Sequence, residues 1–198
     1  MLDSVDVTES PLRLILFKAL RSYDDRQLLA WLEDRDPILR TAAARELQMR
    51  SGDQVFEHIK TLCRSSRHET REAAAFALGQ LGTPACPYAE ASFDLLSDLL
   101  RDEYYEVRSQ AIAAIGQLAT LGHQPKSGLK KRLLEFAADP EPAIRVAVAY
   151  SLLSLRDRRI DAVIQRLLDD EDATVRDAAV FTLQARSELR ALERDTVA

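Results

Sequence analysis

The residues of this 198-residue chain that could do chemistry are few and scattered. His68 and Glu69 form an adjacent imidazole–carboxylate pair of the kind that can ligate a metal. A metal centre needs several such groups to converge, and neither His58 nor His123, the other two histidines, is followed by Glu. Cys63 and Cys86 are the only cysteines, and two isolated thiols supply neither a disulfide framework nor a metal cage. Cys63 falls on an apolar helical position and reads as a small core residue. No glycine-rich phosphate loop, Ser-His-Asp order or pair of catalytic carboxylates stands out. The residues predict a protein with no catalytic centre, no metal and no cofactor.

What recurs instead is arginine. Arg40, Arg71, Arg108, Arg145 and Arg176 lie 31, 37, 37 and 31 residues apart in matching local sequence. A row of guanidinium groups could bind anions. It is better suited to a structural ladder between repeated units, because the planar fork bridges carboxylates and helix-end carbonyls. Asp36, Glu141 and Asp172 stand a turn ahead of their arginines as expected partners. Arg67 takes that place in the second unit and leaves its ladder contact open.

The elements that must position this row are helical. Seven residues after each arginine comes a large aliphatic (Leu47, Leu78, Ile115, Leu152, Leu183), and three after each a small or β-branched residue (Ala43, Ala74, Ala111, Val148, Ala179). Apolar residues also recur nine and twelve before it, from Trp31 and Leu28 to Leu167 and Ile164. This is helical spacing. Apolar residues at 46% can build a core, and the scarcity of glycine, at 6, beside abundant Ala, Leu and Arg favours helix. A period of this length implies stacked supersecondary units. The expected fold is all-α: a single domain over 1–198, built as a right-handed α-solenoid of about five helical hairpins over 25–186. A capping helix over 8–24 precedes the hairpins and a tail over 187–198 follows. Inserts at 83–91 and 120–128 account for the two longer intervals.

The strings Asp36-Pro37-Ile38-Leu39-Arg40-Thr41-Ala42-Ala43-Ala44-Arg45-Glu46-Leu47 and Glu106-Val107-Arg108-Ser109-Gln110-Ala111-Ile112-Ala113-Ala114-Ile115-Gly116 resemble the HEAT-repeat signature. The short intervals are similar to the phycobilisome-lyase type of HEAT-like repeat. Leu47-Gln48-Met49-Arg50-Ser51-Gly52 and Ala75-Phe76-Ala77-Leu78-Gly79-Gln80-Leu81 resemble small bacterial HEAT-like proteins encoded beside Rhs polymorphic toxins. That resemblance implies an immunity protein that binds and neutralises a toxin domain. The alternatives are a general scaffold or adaptor, or a chromophore lyase of the phycobilisome type. Some HEAT-type proteins are iron hydroxylases built on repeated His-Glu pairs. Here the one pair is a turn out of register with the place those enzymes use, which Glu72 occupies. Other HEAT-like solenoids cradle damaged DNA, which requires a basic groove. The clusters Lys126, Lys130, Lys131, Arg132 and Arg156, Arg158, Arg159 read as solvated surface, and a net charge of −5 disfavours nucleic acid.

If the seam positions face inward, the first, fifth and eighth residues after each arginine face outward. Down the stack these are Thr41, Arg45, Gln48; Glu72, Phe76, Gly79; Ser109, Ala113, Gly116; Val146, Tyr150, Leu153; Asp177, Phe181, Gln184. Arg45, Glu72, Phe76, Val146, Tyr150, Leu153, Asp177, Phe181 and Gln184 form the expected partner-binding set on a concave face. Aromatic anchors inside a polar rim are where interface energy concentrates. The negative charge points to another protein with a basic surface, a nuclease toxin domain being one that would fit. The N-terminus lacks a basic segment followed by a long apolar run, and no stretch reaches membrane-spanning length, so the expected location is the cytoplasm.

Overall fold

A computed structural model of the chain describes residues 19–50 and 52–197, with side chains through residue 192. Among these residues ten α-helices form five hairpins, and there is no strand. The pairs are α1 (Asp25–Trp31) with α2 (Pro37–Gln48), α3 (Asp53–Leu62) with α4 (His68–Leu78), and α5 (Ala89–Leu99) with α6 (Tyr105–Thr120). They continue with α7 (Ser127–Glu135) and α8 (Pro142–Ser151), then α9 (Ile160–Leu168) and α10 (Ala173–Val197). A short 3-10 turn, Phe136–Ala138, prolongs α7. The second helices α2, α4, α6, α8 and α10 pack successively side by side, and each first helix packs on its own partner, in the fourth unit through the 3-10 turn Phe136–Ala138.

The expected capping helix lies mostly outside the described residues. Its end stops short of residue 24: Ala19 and Leu20 are helical, with Leu20 buried, but Asp24 is the N-cap of α1. The Asp24 carboxylate accepts from the Gln27 N–H while the Gln27 side chain accepts from the Asp24 N–H, so a new helix starts there. The tail expected from residue 187 continues α10 to Val197. The two inserts are shorter as loops than expected, because Ala89–Ala91 already belong to α5, Thr120 to α6 and Ser127–Gly128 to α7.

Every second helix begins three residues before its arginine, and all five turns follow one hydrogen-bonding plan. Six residues before the arginine stands Asp34, Ser65, Asp102, Asp139 or Asp170, whose side chain accepts from the N–H two residues on. The arginine Nη1 then donates back to the carbonyl of that same residue, over 2.7–2.9 Å. Four of the five also reach the next carbonyl. Each arginine thus closes its own turn.

Among the described residues, two of these five arginines also bridge to a carboxylate of the following unit. Arg71 donates through Nε and Nη2 to both oxygens of Asp102, at 2.6 and 2.8 Å, and Arg145 does the same to Asp170, at 2.8 and 2.7 Å. The expected partners Asp36, Glu141 and Asp172 are not the ones used. Asp36 and Asp172 sit at helix N-caps, where free backbone N–H groups of Ile38, Thr174 and Val175 claim their oxygens. The second unit, left open by Arg67, therefore carries one of the two carboxylate bridges. Burial pushes the Asp102 carboxyl up, but hydrogen bonds from Arg71 and the Tyr104 N–H outweigh it and leave it below the usual carboxylate range. Arg145 holds Asp170 low in the same way.

The face of the second helices

Aromatic and charged side chains stand on the side of the second-helix layer that faces away from the first helices. Tyr150 of α8 is 51% exposed and Phe181 of α10 is 52% exposed. Their rings meet edge to face with centroids 5.8 Å apart. Val146, half-buried one turn before Tyr150, packs against the core, and Asp177, one turn before Phe181, is exposed. At the other end Phe76 of α4 is half-buried and packed on the core, with the Arg45 guanidinium 5.9 Å from its ring centroid. Glu72 lies in the same recess, which has a volume of about 210 Å³ and is also lined by Arg40, Glu69 and Gln110. Burial raises the Glu72 carboxyl above its ordinary range, against the pull of Arg40 and with a further push from Glu106.

The expected set thus divides into two groups, Arg45–Glu72–Phe76 and Val146–Tyr150–Asp177–Phe181. Unit three, which presents Ala113 and a half-buried Ser109, separates them. Leu153 is half-buried in a different cleft, and Gln184 is exposed on α10. The eighth position does not face outward as a column: Gln48 is 5% exposed, and Gly79 and Gly116 are buried. At 100° per residue that position leans toward the following second helix. A Cβ on Gly79 would lie 3.0 Å from the Ala114 Cα, and one on Gly116 would lie 2.7 Å from the Ser151 Cα. Glycine there lets adjacent helices touch backbone to backbone. Gln48 uses its place to donate to the Phe76 carbonyl at 2.7 Å.

Tyr104 and Tyr105 lie outside the expected partner-binding set. They stand at the start of α6, where the first and fourth units carry Asp36-Pro37 and Glu141-Pro142, and both are exposed. Tyr104 stacks on His68 with ring centroids 4.1 Å apart, and the Arg71 guanidinium lies 5.7 Å from its centroid. His68 is therefore half-buried against a ring. Two tyrosines in a place that the first and fourth units fill with an acid and a proline are the available signal. Cys63 and Cys86 are both buried free thiols, and burial raises Cys63 to about 12, which leaves it inert. Among the described residues no group of three or more His, Cys, Asp or Glu could hold a metal ion. No helix among them is long and apolar enough to cross a membrane.

The family of HEAT repeats matches residues 26–116 and 93–184. The chain belongs to the HEAT-repeat family. YibA of Escherichia coli strain K12 is 26% identical over 172 residues, covering 85% of this chain and 60% of YibA. The protein of the same name from Escherichia coli O157:H7 matches to the same extent. The chain therefore spans about 60% of the length of the curated relatives it matches. The X-ray structure of YibA superposes with a TM-score of 0.76 at 24% identity, covering 90% of this chain and 64% of that one. A designed armadillo repeat protein, solved in complex with peptide (KR)4, gives a TM-score of 0.52 at 17% identity, covering 87% of this chain and 91% of that one. Likeness at these identities shows the fold alone.

Within the HEAT frame, the described outward face offers ring edges, carboxylates and a cation–π pair between Arg45 and Phe76. The HEAT units carry these side chains on helices whose backbone is already hydrogen-bonded.

Proposed function

We propose that this HEAT-repeat chain is a binding scaffold that grips a protein partner with a basic surface through the outward face of its second helices. The exposed Tyr150–Phe181 pair supports the reading most directly, since two half-open aromatic rings in contact give a packed apolar anchor beside Asp177. The net charge of −5 and the acidic helix starts favour a cationic partner and would speed its encounter at low salt. The designed armadillo protein solved with (KR)4 offers an instance of a helical solenoid taking a basic peptide. In its sharper form, resting on the resemblance to Rhs-linked proteins, the partner is a toxin domain and the scaffold its immunity protein.

The test measures binding of a Lys/Arg-rich peptide, and of any basic toxin domain encoded beside the gene, by fluorescence anisotropy. Replacing Tyr150 and Phe181 with Ala should weaken binding by about 2 kcal/mol per true anchor, while the melting transition stays within a few degrees. Unchanged binding together with early melting would show that the rings serve packing instead. Protection of cells from the co-expressed toxin domain, lost in the double variant, tests the immunity form separately.

A further inference from the structure

Arg186 of α10 occupies the tenth position after a ladder arginine. Three other units fill that place with the buried leucines Leu81, Leu118 and Leu155. Its Nη1 donates to the carbonyls of Leu152, Leu153 and Leu155, closing the end of α8. Its Nε is buried with no hydrogen-bond partner, and its hydrogen bonds among the described residues all run through Nη1, none through Nη2. Arg71 and Arg145 show what this geometry accommodates: Nη1 on backbone carbonyls, and the Nε–Nη2 edge clasping both oxygens of a carboxylate. Arg40, Arg108 and Arg176 also leave that edge without a carboxylate, but none of them has a buried orphan nitrogen among the described residues. A buried guanidinium donor with nothing to donate to is costly, and in native proteins it marks a bound water, ion or ligand.

The surroundings favour an anion. Arg186 opens on a cleft of about 750 Å³ at the edge where units are joined, away from the arginine-ladder turns. Arg156 and Arg190 line it too, with the apolar side chains of Leu153 and Leu189 and the hydroxyls of Thr120 and Ser154, which hydrogen-bond to each other at 2.8 Å. Arg190 is held by Asp161 at 2.9 Å, and among the described residues no carboxylate lines the cleft. Burial and the neighbouring Arg190 both pull the Arg186 guanidinium down, so a negative charge placed there would relieve it. The cleft volume falls within the range that small-molecule sites occupy, and its walls mix leucine with a few convergent donors.

We infer that this cleft is a binding site for a small organic oxyanion, a carboxylate or phosphate monoester with a short apolar body, seated on the Nε–Nη2 edge of Arg186. The oxyanion takes both free donors in the bidentate manner of Asp102 and Asp170, Arg156 adds charge at the rim, and the apolar body lies along Leu153 and Leu189. The site is independent of the partner-binding face.

The experiment titrates the 15N-labelled protein with hexanoate, with phenyl phosphate and with chloride at matched ionic strength, and follows the arginine Nε–Hε resonances. One resonance, absent from the Arg186→Lys variant, should shift saturably with one or both organic anions and not with chloride. The arm that responds more strongly identifies the head group. Affinity should fall at least about tenfold in Arg186→Lys and severalfold in Arg156→Gln, and stay unchanged in Arg64→Gln, a solvent-exposed arginine elsewhere. Arg156→Gln keeps the test valid if Arg186→Lys fails to fold, because Arg156 is exposed and its side chain closes no helix. No saturable shift with either anion on the folded protein, or equal affinity in Arg156→Gln and Arg64→Gln, would overturn the proposal.

Discussion

Leu152 and Leu183 hold the same place in their units, seven residues beyond the ladder arginine. Yet Leu152 is fully buried and Leu183 is 37% exposed. Four positions beyond the arginine the contrast repeats: Ala44, Ala75, Ile112 and Ala149 are sealed, and Val180 is 42% exposed. Both positions lean toward the following second helix, and α10 has no successor among the described residues. Burial in a stacked array is therefore conferred by the neighbour and not by the repeat that carries the residue. Arg50 and Arg186 differ in charge pairing, in this case through what their own hairpins supply. Both stand ten residues after their arginines, but Arg50 is held by Asp25 at 2.7 Å and Glu46 at 3.1 Å, while Arg186 has only carbonyls.

The largest test of this contrast compares the two leucines directly. Leu152→Ala should cost about 2–5 kcal/mol, because it opens a cavity between α8 and its neighbours. Leu183→Ala should cost about 1 kcal/mol or less, since water already reaches the side chain. Chemical denaturation of the two variants reads both values, and equal losses would mean that position within the repeat, not the neighbour, decides burial. Gly116→Ala comes next. Its new methyl would press on the Ser151 Cα and Cβ at 2.7 and 2.8 Å, forcing α6 and α8 apart at a cost of about 1–3 kcal/mol. Gly128→Ala, whose methyl would meet nothing within 4 Å, should be neutral or slightly stabilising on the same denaturation curve.

How far this architecture could be read in advance follows from the same distinction. The hairpins and the arginine row were legible because both rest on local periodicity, which one chain displays in full. The partners of the row were not. The rule that places Asp102 across from Arg71 and Asp170 across from Arg145 joins residues 31 and 25 positions apart, through the stacking of turns. An aspartate six residues before four of the five arginines was visible, but proximity along the chain favoured Asp36, Glu141 and Asp172 instead. The eighth column was misplaced for a related reason. A helical wheel separates core from surface, while a stack adds two flanks on which Gln48, Gly79 and Gly116 are neither. The role of Arg186 was hidden by its type: an arginine in a column of leucines reads as a tolerated exception until the atoms show which of its donors is unused.

Acid titration sharpens the comparison at the level of charge. The Asp102 and Asp170 carboxyls sit lower in the folded chain than in the unfolded one, so their bridges contribute full stability above an unfolded value of about 3.9. That contribution is lost as pH falls through this range toward the folded values, where protonation releases Arg71 and Arg145. Melting temperature followed from pH 7 to pH 3 should therefore drop on its acid side. The drop should be shallower in a variant carrying Asp102→Asn and Asp170→Asn, which starts from a lower melting temperature at pH 7. An acid limb unchanged by the double substitution would assign the bridges no part in it.

The smallest expected effect is the most informative about the face. Tyr150 and Phe181 belong to adjacent units but are half-open to solvent, so their mutual contact is the part of their energy that the stack supplies. A double-mutant cycle with Tyr150→Ala and Phe181→Ala, read by denaturation without any partner, should return a coupling of about 0.5–1.5 kcal/mol, as expected for an edge-to-face pair. Each single change should cost little beyond that coupling, because the remaining ring surface already faces water. A much larger single-site cost would place these rings with the sealed leucines of the seam. A coupling near zero would leave each ring free to engage a partner independently, and the anchor would then be two separate contacts.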